Sequence, residues 1–199
     1  MRMKLAPRLI PAVFFVVGAL PVFAQTGPAA IQGGVPIVIG AGVSIFSPDW
    51  GPGRRMVGVS AWVDFFPRGL PRKLDGLGIE AEGHAIDHGV TSNVPSQLRE
   101  DTGEFGGIYA WNRYRNFRPY GKFLAGVGSI DFPPYGTYSH NTFLVMSPGG
   151  GVEYRLWQHV WIRGDYEYQY WHQPFGPNDL NPNGFTVGTS YDFRHIRTE

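Results

Sequence analysis

His159-Val160-Trp161-Ile162-Arg163-Gly164-Asp165-Tyr166-Glu167-Tyr168-Gln169-Tyr170-Trp171 changes character at every step. Val160, Ile162, Gly164, Tyr166, Tyr168 and Tyr170 fall on one face of an extended chain; Arg163, Asp165, Glu167 and Gln169 fall on the other. Successive side chains of a strand point to opposite faces, so this period of two reads as a β-strand. One face is apolar and aromatic and the other carries ions of both signs, so the two faces need different surroundings.

The same pattern recurs on both sides of this stretch. Phe185, Val187, Thr189, Tyr191 and Phe193 alternate with Thr186, Gly188, Ser190, Asp192 and Arg194. Leu77, Ile79, Ala81 and Ala85 stand against Glu80, Glu82 and His84, and Val57, Val59, Ala61, Val63 and Phe65 against Met56, Gly58, Ser60, Trp62 and Asp64. Val35 to Ile45 is a fifth such segment. Glu104 to Tyr114, Pro119 to Asp131 and Thr142 to Trp157 alternate more weakly and bring the count to eight, each of about 10 to 14 residues. Strands of ordinary soluble sheets average about 5 to 6 residues, whereas a tilted membrane-crossing strand needs about 9 to 11. Pro148-Gly149-Gly150-Gly151 interrupts the sixth segment, and since a closed barrel has no edge to shelter a proline, a bulge is expected there.

The polar face decides between barrel types. It is rich in glycine and carries Glu80, Glu82, Lys122, Glu153, Arg155, Arg163, Asp165, Glu167, Asp192 and Arg194. A soluble barrel with a greasy interior needs many more lysines and glutamates outside. A narrow lumen needs small residues and charges that neutralise one another, because an unpaired buried ion is costly. The reading is an all-β, eight-stranded antiparallel up-and-down transmembrane β-barrel over residues 35–194. Its interior is this charge network.

Aromatic side chains are expected in girdles at the two membrane interfaces. Phe65, Phe66, Tyr120, Trp157, Trp161, Tyr191 and Phe193 lie at strand ends on one side; Phe46, Trp50, Phe132, Tyr135, Tyr138, Phe143, Tyr170, Trp171 and Phe185 lie at the other. The connections alternate too. Ser47–Gly53, Gly89–Thr102, Phe132–Asn141 and His172–Asn183 are rich in Pro, Gly, Asn and Ser; Pro67–Gly76, Arg115–Arg118 and Gln158-His159 are mostly shorter and more basic. Long outer loops and short periplasmic turns are expected of such barrels.

Ahead of the strands, Met1 to Arg8 carries Arg2, Lys4 and Arg8 with no acid, an apolar run follows to Phe23, and Val22-Phe23-Ala24 offers a cleavage site before Gln25. Residues 1–24 read as a cleaved secretory signal peptide. The run of about 15 apolar residues is short of the roughly 20 that span a bilayer. Residues 25–34 read as an N-terminal extension and 195–199 as a C-terminal tail. Over the 199 residues, 17 basic side chains nearly cancel 16 acidic ones, which excludes the basic footprint of a nucleic-acid binder. With no cysteine at all, thiol catalysis, cysteine-ligated metals, disulfides and a lipidated cysteine are excluded.

Arg118-Pro119-Tyr120-Gly121, leading into Gly126-Val127-Gly128, resembles the start of the fifth strand in the small outer-membrane β-barrels of Gram-negative bacteria, the OmpA-like and opacity-type group. The final strand, Thr186 to Phe193, is similar to that family's assembly signal, with Gly188, Tyr191 and Phe193 at the marked positions. The resemblance implies residence in the outer membrane, insertion by the barrel-assembly machinery, contact with membrane lipid and lipopolysaccharide, and a structural or surface role rather than an activity.

Candidate chemistry is sparse. Glu82, His84 and His88 share a face, but residues four apart on a strand lie about 13 Å apart, so both histidines cannot grip one ion. Glu82 with His84 needs a ligand from a neighbouring strand, and a polar lumen network is the expected reading; no metal or cofactor is expected. Glu153, Arg155, Arg163, Asp165 and Glu167 read as salt bridges, not catalytic carboxylates. Ser139-His140, in an outer loop, is the one pair suggesting an outer-membrane lipid hydrolase. Two readings stand beside the leading one, that hydrolase and a secreted lipocalin-like carrier. In the leading reading, the protein is not an enzyme and its outer loops present Trp50, Tyr135, Tyr138 and Trp171 to a surface ligand not identified from sequence.

Overall fold

The computed structural model describes residues 34–49, 55–87, 99–112, 116–131, 141–172 and 178–194. The signal peptide, most of the extension and the tail expected from sequence lie outside the described residues. Every regular element among the described residues is a strand: β1 (Gly34–Ser47), β2 (Met56–Phe65), β3 (Leu77–Asp87), β4 (Arg99–Ala110), β5 (Phe117–Asp131), β6 (Asn141–Arg155), β7 (Val160–Tyr168), β8 (Tyr170–Trp171) and β9 (Asn183–Arg194). From β1 to β7 each strand pairs antiparallel with the next, as in Ala41 opposite Ala61 and Ala125 opposite Met146, while β8 pairs with β6 and β7 with β9. The last strand pairs with the first, Thr189 opposite Ala41, and this closes the sheet into a barrel.

Nine segments make eight staves, because β7 and β8 are two parts of one. Gly149 faces Glu167 and Met146 faces Tyr170 in a single register, so the gap in pairing covers the two positions where Tyr168 and Gln169 would meet Pro148 and Ser147. Proline has no N–H to give the ladder. The bulge expected at Pro148 does not form: Phe123 stands opposite it in an unbroken β5–β6 register. A missing donor removes a hydrogen bond without adding a residue, so the neighbouring strand breaks and the length is unchanged. The register shift lies elsewhere, between Gly34 and Val38 on β1, around Pro36.

A second correction concerns β4. It begins at Arg99 and ends at Ala110, not Glu104 to Tyr114, so Glu100 and Thr102 belong to a strand and not to an outer loop. Gly103, Gly106 and Gly107 blank out the alternation in this segment.

The faces follow the sequence parity. Val187 is 62% exposed and Ile79 and Tyr166 are exposed as well, whereas Arg163 is 0% exposed and Glu80 and Glu167 are buried. Apolar side chains point out and ionised ones point in. A soluble lipocalin-like carrier has the opposite arrangement, so that reading is overturned.

The lumen is filled by matching large side chains to glycines. A Cβ on Gly40 would overlap the Trp62 indole, and one on Gly128 would overlap Trp171. Only glycine leaves these rings room to lie flat across the interior.

Candidate functional site

The interior charges form layers. Both termini of the barrel sit at one end, since Gly34 pairs with Arg194; this is the termini end, and the opposite one the loop end. Nearest the termini, Arg118 of β5 pairs with Glu153 of β6 and reaches Asp192 of β9, Nη1 to Oδ2, at 3.3 Å. Its guanidinium lies 4.4 Å from the Trp161 ring centre. Arg194 also binds Asp192, at 2.5 Å, and stacks on Phe66. Charge-assisted hydrogen bonds are the strong ones in such a setting, and here each cation meets an acid from another stave or its own.

At mid-barrel Arg163 of β7 donates to both Glu80 oxygens of β3 at 3.0 and 2.9 Å, to Asp165 Oδ2 at 2.8 Å and to the Tyr120 hydroxyl at 2.7 Å. Asp64 lies 3.6 Å from Nη1. The Trp62 and Tyr120 rings lie 4.7 and 4.4 Å from the guanidinium, within cation–π range. The Tyr120 hydroxyl in turn donates to Asp165 at 2.5 Å. Beside this lattice Lys122 of β5 pairs with Glu82 and lies 3.0 Å from Asp165, 3.0 Å from Glu167 and 3.3 Å from Glu80.

Toward the loops the pattern changes. His84 Nδ1 meets Thr102 Oγ1 at 3.2 Å, and Nε2 lies 3.4 Å from Glu82. Gln169 donates to Glu167 at 2.9 Å and accepts from the Trp171 indole N–H at 2.9 Å. Glu100 and Glu104 are buried without a hydrogen-bond partner among the described residues. Two apolar clusters, Ile130–Val145–Trp171–Leu180 and Phe46–Met56–Ile86, lie at the loop end.

Of the ten charges expected in the lumen, Glu80, Glu82, Lys122, Glu153, Arg163, Asp165, Glu167 and Asp192 are buried there, and Arg194 is half-buried at the rim. Arg155 is likewise half-buried, 5.7 Å from the Trp161 ring centre, and donates to Asn116 at 2.9 Å. The lumen also holds Asp64 and Arg118 within the network and Glu100 and Glu104 beside it, four charges that the sequence pattern did not single out. Arg118 shares the parity of Lys122, and Asp64 that of Trp62, so strand phase was the signal available for both.

The girdle divides. Phe65, Trp157, Tyr191 and Phe193 are exposed, and Tyr191 and Phe193 meet edge to face at 4.7 Å. Tyr170 is half-exposed and donates to Asp179 at 2.7 Å. Tyr120, Trp161 and Trp171 are buried in the lumen, as are Phe46 and Phe66. Here strand parity overrides position along the chain: Trp161 and Trp171 are in phase with Arg163, and Tyr120 with Lys122. Trp171 therefore cannot be displayed by an outer loop. Trp50, Phe132, Tyr135, Tyr138, Ser139, His140 and His88 lie outside the described residues.

The outer membrane protein β-barrel domain family matches residues 12–193. The chain belongs to this outer-membrane β-barrel family. Three solved structures of similar architecture are the attachment invasion locus protein Ail of Yersinia pestis (15% identity, TM-score 0.57, covering 79% of this chain and 97% of that one), Neisserial surface protein A (14%, 0.60, 81% and 100%) and OprG from Pseudomonas aeruginosa (14%, 0.55, 82% and 99%). Among curated proteins none matches. The outer-membrane barrel thus resides in the bacterial outer membrane, its apolar surface in lipid. Its interior is the part these likenesses leave to be read from the residues.

Proposed function

We propose that this outer-membrane barrel is a non-enzymatic, non-conducting protein with a structural or surface-interaction role. The observation that carries the reading is the crosslinked interior: Arg163 and Lys122 tie β3, β5 and β7 together at mid-barrel, with Trp62 lying across the same level. Eight staves enclose a space that side chains fill. A diffusion pore needs that space open.

The termini end faces the periplasm in this reading, and the loop-end connections, which contain Trp50, Tyr135 and Tyr138, carry the contact with a surface ligand. Outward Val187, Phe185 and Ile79 meet lipid and lipopolysaccharide acyl chains. Gly188, Tyr191 and Phe193 on β9 are the segment the barrel-assembly machinery reads; the outward pairing of Tyr191 with Phe193 supports this.

The test is planar-bilayer conductance of protein whose folding is verified by heat-modifiable gel mobility. The expected result is no stable conductance. An ohmic channel overturns the closed-lumen reading, and lipid hydrolysis abolished by Ser139→Ala or His140→Ala overturns the non-enzymatic one.

A further inference from the structure

Nine acidic side chains are buried in the lumen against three buried cations, Arg118, Lys122 and Arg163. The deficit of positive charge is concentrated toward the loop end. Arg118 and Arg163 serve the termini half and the middle, whereas no lysine or arginine among the described residues pairs with Glu100 or Glu104. Isolated carboxylates in a dry interior are costly, and such groups are paired or coordinate metals.

Glu82, His84 and Glu167 each place one ligand atom within 4.8 Å of the others, all three side chains being buried. The third ligand, which the sequence reading sought on a neighbouring strand, arrives from β7 across the lumen. Thr102 occupies His84 Nδ1, and His84 Nε2, buried and without a hydrogen-bond partner, faces Glu82. A metal-binding histidine has its second nitrogen held in this way, which fixes the ring. Gln169 does the same for Glu167. Glu104 stands directly opposite Glu82 in the β3–β4 register, neither of its oxygens hydrogen-bonded.

We propose that this cluster binds one divalent transition-metal ion through Glu82, His84 and Glu167, with Glu104 as the fourth ligand. An imidazole with carboxylates suits zinc and its neighbours in the first transition row, whereas magnesium and calcium favour oxygen-only sets. Ligand atoms of a tetrahedral zinc site with bonds of about 2.0–2.1 Å sit roughly 3.3 Å apart, so the side chains close inward on the ion. Lys122 releases Glu82 and Glu167 and keeps Glu80 and Asp165, its other two partners. The ion enters as the barrel folds, before Trp171 and Leu180 pack at the loop end.

The experiment folds the untagged full chain into detergent micelles with zinc or cobalt(II), removes free ion by desalting, and counts bound metal by mass spectrometry. Heat-modifiable mobility selects the folded fraction. The expected result is one equivalent per wild-type chain, with visible absorption from tetrahedral cobalt. His84→Asn and Glu167→Gln, each tested in its folded fraction, weaken binding at least about tenfold, while His172→Asn, at an exposed histidine, leaves it unchanged. The cobalt spectrum reads the wild type directly and needs no variant. A folded wild type that retains neither ion, or that binds no more tightly than folded His84→Asn or Glu167→Gln, overturns the proposal. Either outcome leaves the barrel and its closed lumen standing.

Discussion

The termini half and the loop half of the lumen are built by the same eight staves, yet they handle buried charge differently. Toward the termini, Arg118, Arg163 and Arg194 each meet at least one carboxylate, and aromatic rings of Phe66, Trp62, Tyr120 and Trp161 lie against the guanidinium groups. Toward the loops, Glu100 and Glu104 meet no cation among the described residues, and His84 takes the place of an arginine. Arginine is suited to the first task because its planar fork bonds several acids at once and stays charged. The contrast teaches that one barrel interior holds both a lattice whose carboxylates each meet a cation, which secures the fold, and a stretch with two acids that meet none among the described residues, which has coordination capacity to spare.

The largest effect that tests this contrast is expected from Arg163→Met. It strands Glu80, Asp165 and Asp64 together, and breaking a buried pair by removing one partner costs about 3–5 kcal/mol. Urea-unfolding midpoints in micelles would show it, and a wild-type midpoint would dissolve the distinction between the halves. Glu80→Gln is expected to cost less, about 1–3 kcal/mol, since an amide accepts only part of what the carboxylate takes from Arg163 and Lys122. Tyr120→Phe removes the hydroxyl between Arg163 and Asp165 and is expected to destabilise by about 1.5 kcal/mol. A neutral result there would return Tyr120 to the membrane interface. The smallest effect carries the opposite sign. Glu100→Gln removes an unpartnered buried acid and is expected to stabilise by under about 1 kcal/mol; destabilisation would mean that Glu100 has a partner after all.

Much of this fold was legible along the chain. Alternation at His159–Trp171 and Phe185–Arg194 marked strands, and the ionised face was recognisable as a lumen because its charges are mixed and interleaved with glycine. Misreadings came where a second cue competed with phase. Tyr120, Trp161 and Trp171 were assigned to the girdle by their place near strand ends, although their phase put them with Lys122 and Arg163. Glycines in β4 hid five residues of strand, and with them Glu100. Pro148 suggested an inserted residue where only a hydrogen bond was lost.

From local order alone, then, the chain determined which side chains face lipid and which face inward, because a strand's side-chain period is two wherever it lies. Which inward groups meet was decided by closure and register. Arg163 and Glu80 are 83 residues apart and come together only because β3 and β7 stand across one narrow lumen. Glu82, His84 and Glu167 converge for the same reason. Partners across a barrel are set by stagger and circumference, and neither quantity is carried by any single strand.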